Sequence, residues 1–198
     1  ITDDNGGIID YVEKPKEFVG DLAMIGIYSF KDGARLRKEL QYLIDNNILL
    51  AGEYQLPDAL TNMTKSGMVF KTGEVSEWMD CGNKPVTVET NRRVLSILEE
   101  EGRLHNKSGV DSSAEIIDSI IIPPCFIGHG VVVERSVVGP HVSIGGNTKV
   151  TDTVISDSLV QGDTEIKNGN LKGAMIGAKA SINGTVQDLS VGDFCSIG

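Results

Sequence analysis

The sequence predicts an α/β half followed by an all-β coil within one chain of 198 residues. Three observations predict this. Short apolar runs alternate with helical stripes from Ile8 to about Glu101. A repeat then takes over at a step of 17 residues, seen at Ser119, Ser136 and Thr153 and again at Gly128, Gly145 and Gly162. No helical signal returns after the polar stretch Arg103 to Gly109. The expected division is therefore 1–101 for the α/β part, 102–112 for a linker and 113–198 for the coil.

Thr2 to Gly7 reads as a hairpin turn feeding a strand, and with Ile1 at its head the chain reads as the carboxy-terminal part of something longer. Ile8 to Val12 and Leu22 to Phe30 predict strands, because β-branched and aromatic residues cluster there between Gly-containing turns. Leu36, Leu40, Leu43 and Ile44 share one face of a helix that follows Lys31-Asp32-Gly33. A second helix is expected over Gln55 to Lys65, stopped by Ser66-Gly67, with a strand over Met68 to Thr72. Pro85 opens a third helix, where its missing N–H costs nothing. Val88, Asn91, Leu95 and Leu98 form that helix's inner stripe.

Beyond Ser113, apolar residues fall five or six apart at Ile127, Val133, Val138, Ile144, Val150 and Ile155. That spacing suits neither a helix nor a two-sided strand. It suits a triangular coil in which each flat side is a short parallel strand with one side chain pointing to the axis, and Gly, Asn or Asp turns the corner. Such a coil buries its interior only by stacking on its neighbours.

Composition narrows the function. Eighteen Lys+Arg against 28 Asp+Glu give a formal charge of −10, with no basic run to track a phosphate backbone, which argues against nucleic acid as a partner. No apolar stretch approaches the about 18 residues that cross a bilayer, and no signal segment opens the chain. A soluble, cytoplasmic protein is expected. Cys81, Cys125 and Cys195 lie far apart with no CxxC pair, as reduced thiols do.

Three stretches carry candidate chemistry. In Val12-Glu13-Lys14-Pro15 an acid and a base stand at a strand end, where open α/β sheets bind ligands; the alternative is a solvated pair before a turn. Gly26, within Ala23 to Tyr28, marks either close approach of a ligand to a strand backbone or a bulge. In Trp78 to Pro85 an acid, Asp80, precedes a turn glycine and a helix start, where unpaired N–H groups favour an anion. Asp80 is either a ligand for Mg²⁺ shared with substrate phosphates or the cap of its turn beside a core Trp78. Tyr54, Gln55, Leu56, Pro57 and Asp58 either close over a sugar or simply start a helix. His129 and His141 sit near coil corners, without an acid at a telling spacing, and read as turn-filling rather than catalytic.

Together, in this order and followed by hexapeptide-like coils, these stretches resemble the sugar-1-phosphate nucleotidyltransferase family. Glu53 to Leu60 and Pro123 to Gly128 resemble most its long glucose-1-phosphate thymidylyltransferase-like members. The resemblance implies part of a Rossmann-like nucleotidyltransferase domain, its sugar-phosphate side, followed by a left-handed parallel β-helix. It implies that Glu13 contacts sugar hydroxyls, Lys14 the sugar phosphate, Gly26 the sugar through its backbone, and Asp80 the catalytic Mg²⁺, with Asp80 and Lys14 as the catalytic pair.

The family's partners are a nucleoside triphosphate and a sugar 1-phosphate, here read as glucose 1-phosphate with dTTP or UTP, and the expected assembly is a homo-oligomer through the coil. The glycine-rich loop for the triphosphate belongs upstream of Ile1, so the piece is expected to be silent alone. Met24-Ile25 stands where relatives often have Asn-Ala or Val-Thr, and Asn83 where Thr is frequent. The alternatives are a non-catalytic regulatory or scaffold subunit and, further off, an acyltransferase.

Overall fold

The computed structural model describes residues 1–12, 15, 17–184 and 189–198, which fall into two units, Ile1–Trp78 and Met79–Gly198.

In the first unit the Asp3 carboxylate accepts the amides of Asn5 and Gly7, both at 2.8 Å, and so closes the opening turn. The chain then enters β1 (Gly7–Ile8). Helix α1 (Gly33–Asp45) starts where Asp32 accepts the Arg35 amide at 3.0 Å. Helix α2 (Leu56–Lys65) carries Pro57 in its first turn and packs on α1, burying Leu43, Ala59, Leu60 and Met63. Leu36 and Leu40 are half-buried, whereas Ile44 is exposed, because one step of about 100° past Leu43 turns it off the packed face.

The expected strands are much shorter than their patterns. Among the described residues the one strand pair of this unit is β1 with β2 (Phe70–Lys71), antiparallel, with Gly7 opposite Lys71 and Ile8 opposite Phe70. Residues 22–30 form no strand and most of Met68 to Thr72 is unpaired. A β-pattern becomes a strand only against a partner backbone, and none of the described residues supplies one there.

In the second unit α3 (Lys84–Glu100) begins at Asn83, whose side chain accepts the Val86 amide at 3.3 Å, with Pro85 in the first turn. A short 3₁₀ turn at His105–Lys107 follows. The coil comes next, as three parallel sheets. One face stacks Glu115–Ile117, Val132–Glu134, Lys149–Thr151, Glu165–Lys167, Ser181–Asn183 and Ser196–Ile197. The second stacks Ile120–Ile121, Val137–Val138, Val154–Ser156 and Asn170–Lys172. The third stacks Cys125–Ile127, Val142–Ile144, Ser158–Val160, Met175–Ile176 and Ser190–Val191.

All six residues singled out by the five-or-six spacing are fully buried, and the inward rows continue through Ile166, Leu171, Ile176 and Ile182. The 17-residue step pairs Val133 with Val150 and Val138 with Ile155. It then shortens, since Ile166 pairs with Val150 and Val160 with Ile144. The missing residue is at a corner: Val138 and Ile155 pair, as do Val142 and Ser158, so the second crossing has one residue fewer. Gly162 therefore falls one place out of the glycine step. Gly145 still needs to be glycine, because a Cβ there would lie 2.5 Å from the Gly162 nitrogen.

Corners are not confined to Gly, Asn and Asp. Arg135, His141, Lys179 and Phe194 also hold positive φ, beside Asp118, Asp152 and Asn147. Cross-coil bonds hold them there. Hydroxyls of Ser119, Ser136 and Thr153 accept the amides of Ser136, Thr153 and Gly169 at 2.9, 3.0 and 3.1 Å, one coil to the next.

Helix α3 packs on the third face of the coil, against Val142–Ile144 and Ser158–Val160, with Leu95 buried. Helix α3 thus lies in the same unit as the coil, the two units meeting in sequence at Trp78 and Met79.

Candidate functional site

Glu13 and Lys14 lie outside the described residues. Their flanking residues Val12 and Pro15 line a cavity of about 580 Å³ in the first unit, together with Asp10, Tyr11, Met24 and Thr72. Tyr11 sets its ring edge-on to Phe70, and partial burial raises its phenol pKa above the ordinary value. Gly26 is in a bend rather than a strand. Its φ of +79° is one that glycine adopts freely, and a Cβ there would meet nothing within 4 Å, so the conformation and not crowding calls for glycine. Tyr54 donates to the Asn47 side chain at 3.2 Å, and Leu56 to Asp58 are simply the first turn of α2.

Asp80 belongs to the second unit. Its Oδ1 accepts the amides of Cys81 at 2.7 Å and Gly82 at 3.1 Å, so the residue does cap its own turn. Only Oδ1 is used for this. Gly82 keeps the space beside the other oxygen clear, since a Cβ there would lie 3.1 Å from Oδ2. The Thr90 hydroxyl donates to the Asp80 carbonyl at 2.5 Å and fixes the loop's main chain to α3. Asp80 is exposed, and so is Trp78, at 54%, which is not a core residue.

The start of α3 is less free for an anion than its sequence suggests, because Asn83 already occupies the Val86 N–H and Pro85 has none. For a divalent cation the Asp80 turn offers Oδ2, which bonds none of the described residues. No group of three His, Cys, Asp or Glu side chains able to hold a metal occurs among the described residues. One carboxylate with a free oxygen fits Mg²⁺, which takes few protein ligands and fills its shell with water and phosphate oxygens.

The histidines differ from each other. His129 is exposed and lies over Gly146, where a Cβ would strike its ring. His141 is held on both sides, with Nδ1 3.4 Å from the Asp157 carboxylate and Nε2 3.2 Å from Ser96 Oγ on α3. Asp157 stands one coil beyond His141, so the coil step is the signal that reveals the acid. The Asn91 amide donates to the His141 carbonyl at 3.2 Å, and Ser143 donates to Asn91 Oδ1 at 2.6 Å. Asn91 is the polar interruption in an otherwise apolar stripe, the one mark in the sequence of this contact. Nothing in the sequence marks Thr90. Among the thiols, Cys125 is buried and its pKa is raised by desolvation, as befits an unreactive core residue.

Residues 1–97 match the nucleotidyl transferase family. The chain is 27% identical over 190 residues to a glucose-1-phosphate thymidylyltransferase of Streptomyces antibioticus, covering 91% of this chain and 52% of that protein. It is 28% identical over 166 residues to the enzyme of the same name from Streptomyces griseus, covering 79% and 45%. It is 27% identical over 193 residues to the low-salt glycan biosynthesis nucleotidyltransferase Agl11 of Haloferax volcanii, covering 91% and 53%. The chain spans about half the length of these relatives.

Proposed function

We propose, from an amino-terminal segment that matches the nucleotidyl transferase family and runs into a parallel β-solenoid, that the whole protein transfers a nucleotidyl group to a sugar 1-phosphate. The substrates in this reading are glucose 1-phosphate with dTTP or UTP; the names of the two Streptomyces relatives support the glucose 1-phosphate and, of the two nucleotides, dTTP. An oxygen of the sugar phosphate attacks the α-phosphorus in line. The new P–O bond forms as the bond to the pyrophosphate oxygen breaks, and pyrophosphate leaves. Positioning and charge neutralisation supply most of the rate.

The observation that carries the reading is the Asp80 loop, inside the matched segment, with one carboxylate oxygen fixed by two amides and the other without a partner among the described residues. Mg²⁺, when bound there, neutralises charge on the phosphate oxygens. Asp80 holds its free oxygen in place for that ion. Lys14 meets the sugar phosphate as a point charge, Glu13 accepts hydrogen bonds from sugar hydroxyls, and Gly26 presents its backbone to the sugar. In this reading the 198 residues are silent by themselves, because their sequence contains no glycine-rich triphosphate loop. Among the described residues no helix is long and apolar enough to cross a membrane. Three free cysteines suit a reducing, cytoplasmic setting. The solenoid joins copies into a homo-oligomer.

The test is Asp80→Asn in the full-length protein, followed by pyrophosphate release with dTTP and glucose 1-phosphate. The exchange preserves the Oδ1 bonds to Cys81 and Gly82 while removing the charge. Turnover should fall by about a hundredfold or more with the melting temperature unchanged. Undiminished turnover removes Asp80 from the reaction, and pyrophosphate release by the 198-residue piece alone removes the claim that it is silent.

A further inference from the structure

Two consecutive residues of α3 hold two different parts of the second unit. Thr90 donates to the Asp80 carbonyl at 2.5 Å. Asn91 spends its amide on the His141 carbonyl at 3.2 Å and its oxygen on the Ser143 hydroxyl at 2.6 Å. Successive side chains of a helix point about 100° apart at nearly the same height, so one turn of α3 touches the loop with one residue and the solenoid with the next.

Asn91 is also the wrong residue for adhesion alone. It interrupts the Val88, Leu95 and Leu98 stripe, where an apolar side chain would gain more from burial. A polar group in an apolar contact specifies one register among several of similar stability. Ser96 and His141, in turn backed by Asp157, repeat the polar fastening farther along the helix. This is no independent catalytic centre: Ser96 lies within α3, whose internal amides are committed to the helix and offer no oxyanion donors.

We infer that α3 is a rigid strut through which the solenoid sets the position of the Asp80 carboxylate, with Thr90 and Asn91 as its positioning residues; the consequence for turnover rests on the role proposed for Asp80.

The experiment uses the full-length protein in three forms: Thr90→Val, Thr90→Ser, and Asn91→Leu combined with Ser143→Ala. The double change removes the donor and acceptor pair together and leaves an apolar contact that keeps the helix docked. Amide exchange at Cys81 and Gly82, whose N–H groups bond Asp80 Oδ1, should quicken about threefold or more in Thr90→Val and in the double variant. In both, kcat should fall about tenfold while KM for glucose 1-phosphate stays within about twofold, and the melting temperature should hold. Thr90→Ser, which retains the hydroxyl, should behave as the native protein.

Unchanged exchange at Cys81 and Gly82 in the double variant overturns the inference, even if Asp80→Asn proves inactive. Faster exchange, with turnover untouched both here and in Asp80→Asn, supports the strut and overturns the catalytic reading instead.

Discussion

At the residue scale, the corner at Arg135 and Asp152 shows how an exposed ion pair acts through geometry. Arg135 holds positive φ and reaches one coil on to Asp152 with a two-pronged contact, Nε to Oδ1 at 2.7 Å and a terminal nitrogen to Oδ2 at 2.8 Å. It also bonds Glu134 within its own coil. The hydrogen bonds from Arg135 lower the Asp152 pKa below the ordinary carboxylate value and raise that of Arg135 itself. A carboxylate whose native pKa is depressed stabilises the fold above its unfolded pKa of about 3.9, and that contribution is lost as pH falls through the native value. The Asp152 carboxyl carbon should therefore titrate below the usual aspartate midpoint in an NMR pH series. Arg135→Gln should bring the midpoint back up. The stability difference between Arg135→Gln and the native protein should be present near neutral pH and vanish under strong acid. Because both groups are solvent-exposed the difference should be small, and added salt should reduce it further. An Asp152 midpoint that ignores Arg135→Gln would leave the pair as mere proximity.

At the element scale, the coils are joined by more than their strand ladders. Thr153 is buried, donates to the Thr151 carbonyl at 2.8 Å and accepts the Gly169 amide of the next coil at 3.1 Å. Thr153→Val keeps the volume and strands that amide in the interior. The expected cost is about 1–3 kcal/mol, read as a lower urea midpoint at constant m-value. A neutral Thr153→Val would mean that water or a shifted corner satisfies Gly169. Such contacts explain what was legible in the sequence. A solenoid reads well because each coil meets a near copy of itself, so residues such as Val133 and Val150 announce their own partners. Helices α1, α2 and α3 read well because their bonds are local. Residues 22–30 read badly for the opposite reason: Ile25, Ile27 and Tyr28 carry strand chemistry, but a ladder is made with another segment that their own pattern does not name. The site divides in the same way. The Asp80 turn, with its acid, glycine and helix start, is local and was legible, whereas Thr90 reaches back ten residues through a contact that no spacing rule encodes.

At the scale of the whole molecule, the family segment and the folded unit do not coincide. The match runs to residue 97, yet α3 is part of the unit that contains the coil, so the end of the matched segment already packs on the solenoid. A solenoid that carries such a helix on its third face still has its second face outward. There Ile120, Val137 and Val154 stack in register, with Ile120 61% and Val154 50% exposed. The row is apolar and uncharged in a chain of formal charge −10, so two copies can bring these rows together without opposing their acidic surfaces. That is the contact expected to join copies of the protein, and sedimentation equilibrium should find a dimer or larger species. Ile120→Lys with Val154→Lys should weaken association by about a hundredfold or more, since the new ammonium groups would face each other in the contact. The change leaves the inward rows of the coil untouched, so the melting transition of the dissociated protein should stay cooperative. Native protein that remains monomeric at high concentration would show instead that copies do not meet through this face.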